Sequence, residues 1–304
     1  IYIYKMNANL VGDFSKTIDH EKVMDLLGIT MLVYDYSKKF TFDKDETIET
    51  FVSSKKDDDD EEEDIKMDIS DPRKEVLEKL SESSPHGRVV KFISDKTTDI
   101  QVGITISETN NRICVVFRGS ESKSDWYYDF MILKRKILQD TYNDVYVHSG
   151  FFRQLHDSGV YEKIVATLKT LLDEHPDYHI YITGHSLGGA LCTLFGFELS
   201  HDIDNQVSVV SFASPRVGNQ AFKDAFDGKQ NLEHYRITND RDVITGTPMF
   251  LFKHVGRNIA ISDEKCELFE NYEYGWWKYS LFNCYSVGDH NVDLYYDRLC
   301  KHTW

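Results

Sequence analysis

The stretch 178–200, YHIYITGHSLGGALCTLFGFELS, decides how this chain is read. Its first seven residues are a short β-branched and aromatic run of strand length, and residues 187–200 are a longer apolar run of helical length. His185 and Ser186 stand between them. The pattern Gly184-x-Ser186-x-Gly188 recurs by chance when taken alone, so the flanks carry the reading. A strand that turns directly into a helix leaves no room for a Cβ two residues before or after the serine, which gives both glycines a physical task. Such a turn lifts the serine hydroxyl out of the backbone, while the following helix aims N–H groups and the positive end of its dipole at the same spot. Ser186 is therefore a candidate nucleophile.

Outward from this turn, strand and helix patterns alternate from about Val89 onward. Residues 104–117, ITISETNNRICVVF, read as a hairpin around Thr109-Asn110-Asn111, and residues 152–175 as one long amphipathic helix. VSVVSFASP (207–215) and EHYRITN (233–239) read as strands, with AFKDAFDG (221–228) a helix between them. This alternation predicts an α/β fold with a mainly parallel central sheet flanked by helices on both faces. Residues 1–88 are charged and mostly helical in pattern, at 19–40 and again from Pro72. One domain is expected: a helical N-terminal lead-in with a mobile insertion at about 53–70, then a catalytic core over 89–304.

The 304 residues are 41% hydrophobic, enough for a sizeable core. The net charge of −16 argues against nucleic acid or a strongly anionic membrane as partner, since both would repel the chain. Half of that charge sits in DDDDEEED at 57–64, a solvated block without the alternating ligands and glycine of a calcium loop. Five cysteines without a CxxC pair favour reduced thiols over a zinc site. Cys114 and Cys192 lie in apolar runs and read as core, whereas Cys266 and Cys284 could be bridged in a secreted protein. No apolar run reaches transmembrane length or resembles a signal-peptide core. That and the odd cysteine count lean toward an intracellular protein, but the chain starts at Ile1 rather than Met, so a leader could have been removed and the compartment stays open.

A nucleophilic serine needs a base, and the base needs an orienting acid. HYRITNDRDVITGTP (234–248) supplies the acid, because the carboxyl end of a strand and its loop are where a sheet presents functional groups. Asp240 and Asp242 both qualify. Three histidines follow them: His254 in an alternating, strand-like segment, His302 in a terminal tail, and His290 in SVGDHNVDLYY (286–296). His290 follows a glycine turn and precedes an aromatic run, so it can lie in a loop and still be held, which makes it the expected base. His185 is expected to support the turn rather than accept the proton. Arg118-Gly119-Ser120, just past the apolar strand ending at Phe117, can approach the serine, with the Ser120 N–H and hydroxyl as oxyanion donors.

With these residues assembled, residues 89–300 resemble the class 3, fungal-type lipases, which have the α/β-hydrolase fold and cleave carboxylic esters of lipids. The resemblance rests on motifs in order: VVFRGS (115–120), DWYYDF (125–130), VHSGF (147–151), TGHSLGGA (183–190), FASPRVGN (212–219) and RITNDRDVI (236–244). It implies Asp242 rather than Asp240 as the acid, an oxyanion hole of Ser120 and the Leu187 N–H, and Asp129 orienting the Ser120 hydroxyl. It also implies a lid over Glu121 to Phe130, with Trp126, Tyr127 and Tyr128 as its amphipathic cover. The family's usual proline after the acid loop is replaced in Val243-Ile244-Thr245-Gly246, and the leucine that commonly follows its histidine by Asn291 and Val292. The aromatic segment 266–285 could line the acyl site.

The expected function is a serine ester hydrolase working through Ser186, His290 and Asp242, without metal or cofactor, on triacylglycerol-type lipid esters at a lipid–water interface. A phospholipase A1 or a soluble short-chain esterase on the same scaffold is the nearer alternative, and a non-catalytic interaction protein the more distant one. The oligomeric state is not legible.

Overall fold

A computed structural model describes residues 13–38, 47–51, 74–81, 84–119, 134–248, 250–270 and 287–304. Eleven strands among these residues are β1 Thr47–Phe51, β2 Arg88–Asp95, β3 Ile100–Ser107, β4 Arg112–Phe117, β5 Lys134–Lys136, β6 Tyr146–His148, β7 His179–His185, β8 Val207–Phe212, β9 Leu232–Asn239, β10 Arg257–Ile261 and β11 Cys266–Phe269. The helices are α1 His20–Lys38, α2 Lys74–Lys79, α3 Ser149–His156, α4 Val160–Glu174, α5 Leu187–Asp202, α6 Gln220–Asp227 and α7 Val292–Leu299.

Nine strands form one sheet in the order β1-β2-β3-β4-β7-β8-β9-β10-β11, and β5 pairs with β6 apart from it. The central strands β4, β7, β8, β9 and β10 run parallel. The flank β1-β2-β3-β4 is antiparallel, as is the β10–β11 edge, because short turns such as 108–111 connect these neighbours without a crossover helix. The chain thus has the α/β architecture with a mainly parallel centre that its alternating segments predict, and the strand order agrees with the α/β-hydrolase fold that the resemblance implies.

Side chains alternate between the sheet faces and divide the core in two. Ile113, Val115 and Phe117 of β4 and Ile180 and Ile182 of β7 join α3 to α6 on one face; Cys114 and Val116 of β4 and Tyr181 of β7 join α1, α2 and α7 on the other. Helix α5 is buried all round from Leu187 to Ser200, since it lies on the sheet and is covered by α3. That explains a helix apolar on every side rather than along one stripe. Burial also pushes the Cys114 thiol up to about 12, so it is a packing group, and Cys192 is likewise fully buried. Cys266 sits half-buried on β11, while Cys284 lies outside the described residues.

Four local readings change. The helix expected over 152–175 is two helices, α3 and α4, because Gly159 takes a left-handed φ of +67° that stops one and starts the other. Residues 1–88 are not helical throughout: β1 lies among them and pairs with β2, which already begins at Arg88. Helix α1 is no lead-in either, since it packs on β3, β4, β7 and β8. Of the helix expected from Pro72, the described residues carry α2, Lys74–Lys79. His254 precedes β10 instead of lying in a strand, and its Nε2 is 2.7 Å from the Thr245 carbonyl. The insertion at 53–70, including the acidic block, lies outside the described residues.

Candidate active site

The parallel strands β4, β7 and β9 end on the same side, and the loops after them converge there. At the end of β7 the chain turns through Ser186 with φ +60° and ψ −123°, a conformation a non-glycine residue holds only at a cost of about 1–3 kcal/mol. The surroundings enforce it. The Ser186 N–H donates to the Phe212 carbonyl at 2.9 Å, and its carbonyl accepts from Ala190 at 3.2 Å as α5 begins. A Cβ on Gly184 would lie 2.5 Å from the Gly188 backbone, and one on Gly188 would lie 2.2 Å from the Phe117 carbonyl oxygen. Only hydrogen at both positions lets β4, the turn and α5 approach this closely.

The Ser186 hydroxyl oxygen lies 2.7 Å from His290 Nε2, and His290 Nδ1 lies 2.8 Å from Asp242 Oδ2. The three groups come from the elbow after β7, the loop after β9 and a single 3-10 turn, Gly288–His290, before α7. Asp242 is fully buried and His290 nearly so. The Tyr295 hydroxyl donates to Asp242 Oδ2 at 2.7 Å and accepts from the Asn239 N–H at 2.9 Å, while the Ile244 N–H donates to Oδ1 at 2.9 Å. The buried carboxylate therefore meets three groups, the Tyr295 hydroxyl, the Ile244 N–H and His290 Nδ1, which fixes its plane and hence the imidazole it meets.

Asp240 is turned elsewhere: it is half exposed and 3.8 Å from Arg298, which also pairs with Asp289 at 3.0 Å and Asp263 at 3.1 Å. The Asn239 amide donates to the Asp289 carbonyl at 2.8 Å, so the base-bearing turn is tied to the acid loop from both sides. The other two histidines are remote in role. His302 Nε2 is 2.8 Å from the Ser262 carbonyl, and burial, with Arg236 nearby, holds buried His254 well below the ordinary imidazole range. The His185 ring lies 4.9 Å from that of His290 and meets Tyr295 edge-on at 5.7 Å. It thus packs directly against the base as well as bracing the turn.

Leu187 is the first residue of α5, where a backbone N–H has no intrahelical acceptor. Ser120, Asp129, Trp126, Tyr127 and Tyr128 lie outside the described residues, as does most of the aromatic segment before His290. Just ahead of Ser120, the Gly119 N–H donates to the Tyr34 hydroxyl at 2.8 Å, and that hydroxyl donates to the His185 carbonyl at 3.2 Å. Sequence reasoning missed both tyrosines. Tyr295 lies in a tyrosine pair within reach of His290 along α7, which is a usable signal, but Tyr34 sits in a helix far upstream with none.

Fold and constellation together define an α/β-hydrolase with a serine, a histidine and an aspartate in hydrogen-bonded series. Residues 114–252 match the family model described as lipase (class 3). Over 186 residues it is 27% identical to a lipase of Rhizomucor miehei, covering 59% of this chain and 50% of that protein. Over 195 residues it is 27% identical to phospholipase A1-II 3 of Oryza sativa subsp. indica, covering 56% and 46%. The crystal structure of a lipase from Rhizopus microsporus var. chinensis superposes with a TM-score of 0.69 at 22% identity, over 92% of this chain and 88% of that one, a likeness of fold. The chain spans about half the length of the curated relatives it matches.

Proposed function

We propose that the protein is a serine carboxylic ester hydrolase acting on lipid esters of the triacylglycerol type. The observation that carries this reading is the unbroken series of Ser186 Oγ, His290 Nε2, His290 Nδ1 and Asp242 Oδ2 at 2.7 and 2.8 Å. In the proposed reaction Ser186 Oγ attacks the ester carbonyl carbon as its proton passes to His290 Nε2, and Asp242 stabilises the imidazolium that forms. The Leu187 N–H and the expected donors of Ser120 receive the tetrahedral oxyanion. His290 then protonates the departing alcohol, leaving an acyl-serine. Water, deprotonated by the same imidazole, attacks the acyl carbon; the proton returns to Ser186 as the fatty acid leaves.

A lipid rather than a polar ester is supported by apolar side chains held in water near these elements. Phe250 and Leu251 are each 63% exposed a few residues beyond the acid loop, and Val287, three residues before His290, is 61% exposed. Leu251 even takes φ +68°, a strained conformation for a leucine. Among the described residues no helix is long and apolar enough to cross a membrane.

A phospholipase A1 activity is the second reading, because the rice phospholipase A1 matches this chain at the same 27% identity as the fungal lipase. The test is hydrolysis of a short-chain chromogenic ester, a triacylglycerol emulsion and a phosphatidylcholine dispersion by the protein and by Ser186→Ala. Turnover that disappears in the variant is expected, with the emulsion preferred; turnover that persists in Ser186→Ala would end the assignment, and a preference for phosphatidylcholine would favour the second reading.

A further inference from the structure

We propose that Tyr34 is a positioning residue for the oxyanion side of this site, acting through the backbone on either side of its hydroxyl; the proposal rests on the hydrolase reading above. Its hydroxyl accepts from the Gly119 N–H at 2.8 Å and donates to the His185 carbonyl at 3.2 Å. Gly119 immediately precedes the expected donor Ser120, and His185 immediately precedes Ser186. One side chain thus bridges the strand end that leads to the oxyanion loop and the turn that carries the nucleophile.

The geometry is built around this bridge. A Cβ on Gly119 would sit 2.3 Å from the Tyr34 hydroxyl oxygen and 2.7 Å from the His185 carbonyl oxygen, so the convergence requires glycine there. The tyrosine ring is held on both sides. The Arg118 guanidinium, bonded to Gln101, lies 5.8 Å from its centroid, and the His185 ring meets it edge-on at 6.3 Å. One turn earlier on α1, the Thr30 hydroxyl is 3.2 Å from that of Thr183 on β7 and donates to the Leu26 carbonyl at 2.8 Å, which keys the helix to the strand bearing the nucleophile. Because the Gly119 N–H is committed to Tyr34, the Arg118–Gly119 peptide, one residue ahead of the expected donor, has a set direction relative to the Ser186 turn. Oxyanion donors work only when their distance from the developing charge is fixed in advance. Tyr34 supplies that constraint from outside residues 114–252, the segment that matches the family.

The variant Tyr34→Phe keeps the ring and removes the bridge. With a soluble short-chain ester, kcat per fluorophosphonate-titrated site is expected to fall about 10- to 100-fold, as for a small misplacement of reacting groups, with KM changed less than about twofold. Amide hydrogen exchange at Gly119 is expected to accelerate while that at Ile182 in β7 stays as in the parent protein. A lowered unfolding temperature with kcat per titrated site intact would mean a merely structural tyrosine and overturn the proposal, as would unchanged exchange at Gly119. Parent protein that hydrolyses no ester sinks the hydrolase reading and this proposal with it, and is told apart by needing no variant at position 34.

Discussion

The hydroxyl of Tyr295 and Nδ1 of His290 meet the same oxygen of Asp242, at 2.7 and 2.8 Å. The His290 imidazole and a helix side chain therefore share one acceptor, and the rotation of the carboxylate is limited from two directions. Tyr295→Phe removes one of these constraints and leaves the buried Asn239 N–H without its acceptor. Losing a hydrogen bond to a charged group and stranding a donor together cost about 1.5–3 kcal/mol. The variant is expected to unfold at lower urea by about that amount and to hydrolyse a short-chain ester several-fold more slowly, measured by denaturation curves and initial rates.

Asp242→Asn and Asp240→Asn separate the two candidate acids. The first replaces an acceptor of the His290 N–H by an amide that favours the wrong imidazole tautomer, and kcat should fall by about 10⁴. The second loses only a partly exposed contact with Arg298, worth about 0–1 kcal/mol in such settings, and should leave kcat nearly unchanged. Equal losses in both variants would contradict the placement of Asp242.

Gly188→Ala tests the elbow itself. The added methyl would stand 2.2 Å from the Phe117 carbonyl oxygen, and backbone on both sides of the contact cannot yield without separating β4 from α5. The expected outcome is a protein that either fails to accumulate in soluble form or melts well below the parent and no longer reacts with a fluorophosphonate probe. A soluble variant with parental labelling would show that the close approach is dispensable.

Stability should decline in mild acid for a reason outside the site. Burial, followed by the positive charge of Arg236, holds His234 and His254 well below the usual imidazole value of 6.5. In the unfolded chain both regain that value, so below about pH 6.5 the unfolded state binds protons that the folded state refuses, and stability falls as pH falls. Each histidine contributes at most about 1.4 kcal/mol per pH unit, and neither contributes above pH 6.5. Urea midpoints at pH 7.5, 6.5 and 5.5 should be flat across the first interval and drop across the second; no drop would contradict the neutral burial of these rings.

Much of the fold was readable because its signals are local. The strand before Ser186 and the all-apolar helix after it announce themselves by length and composition, and the alternation around them implies parallel strands. The missed break at Gly159 shows the limit of periodicity: apolar spacing continues from Phe152 into Val160 and hides a turn that rests on one left-handed residue. For the site, order along the chain nominates Ser186, an aspartate and His290, but cannot choose between Asp240 and Asp242, since both follow the same strand. What separates them is the company each side chain keeps, Arg298 for one and Tyr295 with His290 for the other. Tyr34 was out of reach because its role is a contact between a helix near one end of the sequence and two backbone groups far downstream.

The joining of α1 to α7 has a consequence for biosynthesis. His20 Nε2 lies 2.9 Å from the Leu299 carbonyl, and the Trp304 indole N–H donates to the Ile18 carbonyl at 2.8 Å. The helix bearing Tyr34 thus completes its packing only once a segment 279 residues downstream of His20 has been made, and the same segment brings in His290 and Tyr295. A growing chain that stops short of residue 290 has the hydroxyl of Ser186 but not the imidazole that the proposed mechanism needs, so hydrolytic competence would arise in one step rather than accumulating with length.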